Sequence, residues 1–268
     1  MWIEDLFHTK KSIIAMLHLN ALPGDPYYDE SRGIDGVIED ARRDLKALQN
    51  GGVDAVMFSN EFSLPYLTDV RCETVAAMAY IIGNLTPEIK VPFGVNVLWD
   101  AKKSLDLAKA VKASFVREIF TGVYGSDFGI WNTNVGETIR HQRNIGAENI
   151  RLLFNIVPEA AAYLGDRTIE SIAKSTVFNN RPDALCVSGL TAGTETDSAI
   201  LKRVKDTVKD TVVIANTGVK PSNVVEQLSI ADAAVVGTTF KLEGKFENHV
   251  DENRVRSFMH IVEEFRGR

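Results

Sequence analysis

The chain has 268 residues, 45% hydrophobic and 25% charged, which is ordinary globular composition with room for one large α/β barrel or two small domains. Its formal charge of -6 leaves no electrostatic footprint for nucleic acid or an anionic membrane surface. No apolar run approaches the roughly 20 residues that span a bilayer, the acidic N-terminal stretch lacks a signal-peptide core, and Cys72 and Cys186 are too few for a disulfide framework, so a cytoplasmic protein with reduced thiols is expected.

Taken in order, short apolar runs alternate with segments of helical period. Strands are predicted over 12–19, 54–58, 92–98, 115–120, 150–156, 184–187, 212–215 and 233–236. The first helix, 35–50, puts Val37, Ile38, Ala41, Leu45 and Leu48 on one stripe and stops at Gly51-Gly52. Further helices are predicted over 73–85, 101–111, 135–145, 169–178 and 198–208, then a short one with Pro221 in its first turn, and a last one over 252–265. Eight strand–helix alternations without a linker imply parallel strands, right-handed crossovers and one domain over residues 1–268. Closing them into a (β/α)8 TIM barrel removes both sheet edges; an open doubly wound sheet is the alternative. Asp54-Ala55, Asp183-Ala184 and Asp232-Ala233 repeat where a helix gives way to a strand, and these aspartates read as structural turn residues on the bottom face.

Barrel enzymes carry their chemistry at the carboxyl ends of the strands. The seventh strand ends in Asn216-Thr217-Gly218 and the eighth in Gly237-Thr238-Thr239. Glycine lets backbone amides approach a ligand, and helix-start N–H groups favour anions, so Gly218, Gly237 and Thr238, with Ser188 and Gly189 beside them, form a candidate phosphate cradle. The same glycines also serve simple tight turns.

Asn20, Asn60, Asn96, Asn155 and Asn216 stand at or near strand ends. They read either as a ring recognising hydroxyl groups or as local loop caps. His18, Glu61 and Glu118 are the candidates for moving a proton, and each carboxylate can equally serve a salt bridge. Arg117 is next to Glu118, but neighbours on a strand point to opposite faces. No His-x-His, His-Glu-x-x-His or Cys-x-x-Cys occurs; Glu61, Asp100 and Glu118 are the only set suited to a hard cation such as magnesium, and otherwise no cofactor is expected. There is no Walker motif and no strand-end lysine for a Schiff base. The loop 121–132, rich in glycine and aromatics, reads as a lid or as a subunit contact in a homo-oligomer.

Four segments, Met16-Leu17-His18-Leu19-Asn20-Ala21-Leu22-Pro23-Gly24-Asp25-Pro26, Asn50-Gly51-Gly52-Val53-Asp54, Pro92-Phe93-Gly94-Val95-Asn96-Val97-Leu98 and Val236-Gly237-Thr238-Thr239-Phe240-Lys241, resemble the BtpA family. The stretches Ser59-Asn60-Glu61-Phe62-Ser63-Leu64-Pro65-Tyr66 and Asn155-Ile156-Val157-Pro158-Glu159-Ala160 resemble its SgcQ-like branch. The family is named for a photosystem I biogenesis factor and grouped with ribulose-phosphate-binding barrels; the branch occurs beside sugar-uptake genes. Three departures stand out: Trp99-Asp100 where many members have Asn-Asp, Arg117-Glu118-Ile119 where many have Arg-Val-Asn, and no basic pair after the fifth strand. The resemblance implies a barrel that acts on a small phosphorylated sugar or related metabolite by isomerisation, epimerisation or aldol cleavage. A non-catalytic binding or assembly factor and a metal-dependent phosphate-releasing hydrolase are the alternatives.

Overall fold

The computed structural model describes residues 1–158, 161–189 and 197–267. The chain opens with α1 (Trp2–Phe7) and β1 (Ser12–His18), followed by α2 (Gly33–Asn50), β2 (Ala55–Ser59), α3 (Cys72–Leu85), β3 (Phe93–Asn96) and α4 (Ala101–Val111). Next come β4 (Phe115–Glu118), β5 (Val123–Ser126), β6 (Gly129–Asn132), α5 (Val135–Asn144), β7 (Arg151–Val157) and β8 (Ala161–Tyr163). The last elements are α6 (Ile169–Asn180), β9 (Ala184–Val187), α7 (Ser198–Thr207), β10 (Val212–Ala215), α8 (Val224–Ile230), β11 (Ala233–Val236) and α9 (Glu252–Arg266).

Eight parallel strands close in the order β1-β11-β10-β9-β7-β4-β3-β2, so the expected barrel is the observed one. Alternate residues point inward. Ile14, Met57, Phe115, Leu153, Cys186 and Ile214 belong to a buried cluster inside the barrel, distinct from the larger one shared with the helices. Gly94 permits this packing: a Cβ there would lie 2.2 Å from the Phe115 ring. Two features have no counterpart in the sequence reading. Helix α1 contributes Ile3 and Phe7 to the interior cluster, with Phe7 edge-on to Phe115 at 5.7 Å. Strands β5, β6 and β8 form a separate three-stranded antiparallel sheet where the sequence suggests a loop.

The three repeated aspartates do one job. Asp54 accepts from the Ile13 amide at 2.7 Å, Asp183 from Leu152 at 2.8 Å and Asp232 from Val213 at 2.8 Å. Each carboxylate thus satisfies a strand-start N–H on the neighbouring strand and also meets a cation, Arg266, Arg151 and Lys205 respectively. Loss of one carboxylate orphans a buried amide. Asp232→Ala is therefore expected to destabilise the protein by about 1–3 kcal/mol in chemical denaturation; an unchanged unfolding midpoint would contradict this account.

Candidate functional site at the barrel mouth

The strand β4 run Phe-Val-Arg-Glu places Arg117 on the same face as Phe115, so a guanidinium enters the apolar interior. Arg117 is 4% exposed. Its Nε and one terminal nitrogen donate to Asn96 Oδ1 on β3. The other terminal nitrogen crosses the barrel to Asn216 Oδ1, just past β10, at 3.0 Å. Asn216 in turn donates to Ser188 Oγ at 2.8 Å, and Ser188 donates to Asn155 Oδ1 at 3.4 Å. A guanidinium has five N–H donors, and these contacts use three. Among the described residues no carboxylate stands within ion-pair distance of Arg117.

The five asparagines therefore divide. Asn96, Asn155 and Asn216 line the interior mouth. Asn20 turns to α2, donating to Asp40 at 2.8 Å, and Asn60 is a loop brace whose Oδ1 accepts the Leu98 amide at 2.7 Å. Of the two readings of the five asparagines, the interior position fits Asn96, Asn155 and Asn216, and the local brace fits Asn20 and Asn60.

Glu118 faces the other way from Arg117, as strand alternation requires. It reaches Ser104 on α4 at 3.3 Å and accepts from the Ile119 amide at 3.0 Å and from Asn96 Nδ2 at 2.6 Å. Asn96 is thus a two-ended link, accepting from Arg117 and donating to Glu118. Burial pushes the Glu118 carboxyl up from its ordinary 4.5 to about 8, against the opposing pull of the Ile119 amide and Arg117. His18 is 7% exposed and its Nδ1 has no hydrogen-bond partner. Burial, then the charges of Lys241 and Arg117, hold its imidazole well below the usual histidine range. Gly237 packs closely against it: a Cβ there would come within 3.2 Å of His18 Nε2. Glu61 stands half-buried at the rim, held by Ser59 Oγ and the Tyr66 hydroxyl, each at 3.1 Å.

The late-strand loops are adjacent, as the order β9-β10-β11 demands. Gly218 has φ +64°, which favours glycine. Two members of the expected cradle have partners within the protein: the Gly189 amide donates to Thr217 Oγ1 at 2.8 Å, and Ser188 belongs to the asparagine network. Thr191, the hydroxyl residue that the sequence places after the sixth barrel strand, lies outside the described residues. Nor do the three carboxylates suited to magnesium converge. Asp100 caps α4 by accepting the Lys102 and Lys103 amides, both at 3.1 Å, and no cluster of three or more His, Cys, Asp or Glu side chains suited to a metal occurs among the described residues.

The BtpA family model matches residues 9–264. The chain belongs to the BtpA family. It is 68% identical over 265 residues to the sgc region protein SgcQ of Escherichia coli strain K12, covering 99% of each chain. It is 28% identical over 261 residues to the photosystem I biogenesis protein BtpA of Synechocystis, covering 96% of this chain and 90% of that one. Among solved structures, (S)-3-O-geranylgeranylglyceryl phosphate synthase from Thermoplasma acidophilum, in complex with sn-glycerol-1-phosphate, matches with TM-score 0.58 at 15% identity, covering 98% and 96% of the two chains. At that identity the likeness shows the barrel and nothing finer.

In this BtpA family member the residues missed from sequence are Arg117 itself, Trp99 and Lys241. A charge inside Phe-Val-Arg-Glu-Ile-Phe was the available signal for Arg117. Trp99 lies over the guanidinium at 6.0 Å from its ring centroid and packs edge-on against Trp131 at 5.1 Å. Phe128 and Tyr66 complete this aromatic roof, which the β5–β6 hairpin of residues 121–132 helps to build. Lys241, 2% exposed, pairs with the buried Asp44 on α2 at 3.6 Å; burial lowers its pKa, and Asp44 opposes that.

The raised Glu118 carboxyl has a thermodynamic signature. The folded protein holds this proton more tightly than the unfolded chain, so Glu118 contributes full stability below about 4.5 and progressively loses it as pH rises towards about 8. Glu118→Gln removes that slope. The unfolding free energy of the variant minus that of the wild type is expected to climb between pH 5 and 8, by up to roughly 1.4 kcal/mol per pH unit. Urea titrations across that range check it, and a pH-independent difference would overturn the assignment.

Proposed function

We propose that this protein binds a small phosphorylated sugar or related anionic metabolite at the barrel mouth and moves a proton on it, as an isomerase, epimerase or aldol-cleaving enzyme does. One observation carries the reading: among the described residues, Arg117 is a buried cation bonded only to neutral amides. A guanidinium stays charged at any physiological pH. Its neighbours do not offset it, because Glu118, at about 8, largely keeps its proton at neutral pH and His18 is held neutral. A buried uncompensated charge is costly, and an anionic ligand removes that cost. The two N–H groups left over, one on each terminal nitrogen, suit a ligand with two acceptor oxygens.

Within this reading the phosphate sits at Gly218, Gly237 and Thr238, with Ser188 and Gly189 shaping the loop behind them. Gly218 is two residues beyond the Asn216 that Arg117 reaches, so both groups address one small molecule. Neutral His18, whose Nδ1 has no hydrogen-bond partner, accepts a proton in this reading once the negative charge of a bound ligand offsets the burial and the cations that hold its pKa low. Glu118 acts one step back through Asn96, and Glu61 stands at the rim. A ligand-binding or assembly role without turnover has its own support in the closure of the mouth by the roof, which buries Arg117.

A panel of sugar phosphates and sugar acids separates these readings. A true ligand at about 100 times its Kd stabilises the fold by about 2.7 kcal/mol, visible as a thermal shift. Arg117→Gln is expected to weaken that ligand at least tenfold, measured calorimetrically against the variant's own baseline. Affinity unchanged in Arg117→Gln would sink the anion site. Isotope exchange from solvent into the bound ligand distinguishes turnover from binding alone.

A further inference from the structure

The segment after β11 is a loop that leaves and returns at one point. Lys241 and Val250 form an antiparallel bridge, Leu242 donates to the His249 carbonyl at 2.8 Å, and Asp251 donates to the Phe240 carbonyl at 2.9 Å. Between these pinned ends the chain is tied mostly to itself: Lys245 donates to the Leu242 carbonyl, and so does Asn248 through its side chain. Its exposed side chains include Glu243, Lys245 and Glu247, which face solvent. Phe246 is the exception. Its ring lies 5.3 Å from the His18 ring and 4.7 Å from Phe62.

The base of the loop is fixed to α2 by one carboxylate. Asp44, 4% exposed, accepts the Val250 amide at 3.1 Å, contacts His249 Nδ1 at 3.3 Å and pairs with Lys241 at 3.6 Å. Beyond Phe62 lies a cavity of about 320 Å³ bounded by Asn20, Tyr27, Arg32 and Val37. That volume falls at the lower end of small-molecule pockets. Phe62 lines the cavity, Phe246 packs on Phe62, and His18 lies against Phe246.

We propose that the 241–250 loop is a lid, hinged on the Asp44 clasp, whose Phe246 plugs the passage between this cavity and His18. Lifting the plug breaks ring contacts and no strand pairing, so it needs only local opening. The cavity then becomes the vestibule through which a small polar ligand, with aromatic and guanidinium contacts available at Tyr27 and Arg32, reaches the buried imidazole. The inference rests on the placement of His18 and not on the identity of any ligand.

Acylation of histidine by diethyl pyrocarbonate, mapped by mass spectrometry, tests it directly. His8 and the 74% exposed His260 serve as internal references. Phe246→Ala is expected to raise the His18 labelling rate at least tenfold relative to those two, with the same thermal midpoint. An unchanged relative rate in a folded variant overturns the proposal. If the variant unfolds, hydrogen exchange on the wild type decides instead. Exchange of the 242–249 amides through an opening insensitive to low denaturant supports a lid, and exchange only through global unfolding refutes it.

Discussion

A single guanidinium inside a barrel organises this protein. Arg117 cannot lose its charge, and it sits one layer above a packed apolar interior. Every polar group placed around it follows from that constraint. Asn96 and Asn216 offer carbonyl oxygens from opposite sides, Ser188 and Asn155 extend the chain of hydrogen bonds, and Trp99 covers the guanidinium from above. None of these groups is anionic. These contacts use three of the five guanidinium N–H donors and supply no countercharge, a combination that a purely structural strut has no reason to keep.

The surrounding electrostatics reinforce that imbalance. The carboxyl next in sequence is buried until it favours its proton, and the one histidine at the mouth is kept neutral by burial and by two cations. Lys241 is the second of these cations, and its ion pair with Asp44 ties it to α2 and to the loop that carries Phe246. Cation, proton-bearing groups and cover thus come from β4, β1 and the segment after β11, brought together only by closure of the barrel.

Much of the scaffold was legible along the chain. Each barrel strand is buried over most of both faces, so each reads as a short apolar run, and the observed boundaries lie within about two residues of those read from the pattern. The aspartate repeat was legible as structural, but the sequence reads it as turn residues, and only the strand register shows each carboxylate holding an amide of the neighbouring strand. The site was less so. Asn20 and Asn60 look in sequence like Asn96 and Asn216, yet their side chains serve α2 and a loop. The segment 121–132 reads as a loop, a lid or a subunit contact, because its sheet partner, β8, arrives about thirty residues later. Helix α1 is too short for periodicity to reveal it, and it is held by the interior it plugs.

By itself the sequence determined the family, the eight-fold alternation and the set of polar residues at strand ends, since these depend on local pattern and composition. The tertiary structure decided which of those residues share a cavity, that Arg117 spans it, and that His18 lies under an aromatic plug. The reason is geometric. Facing in or out is a period-two property of each strand, but meeting across the barrel depends on register and closure, which no single strand encodes.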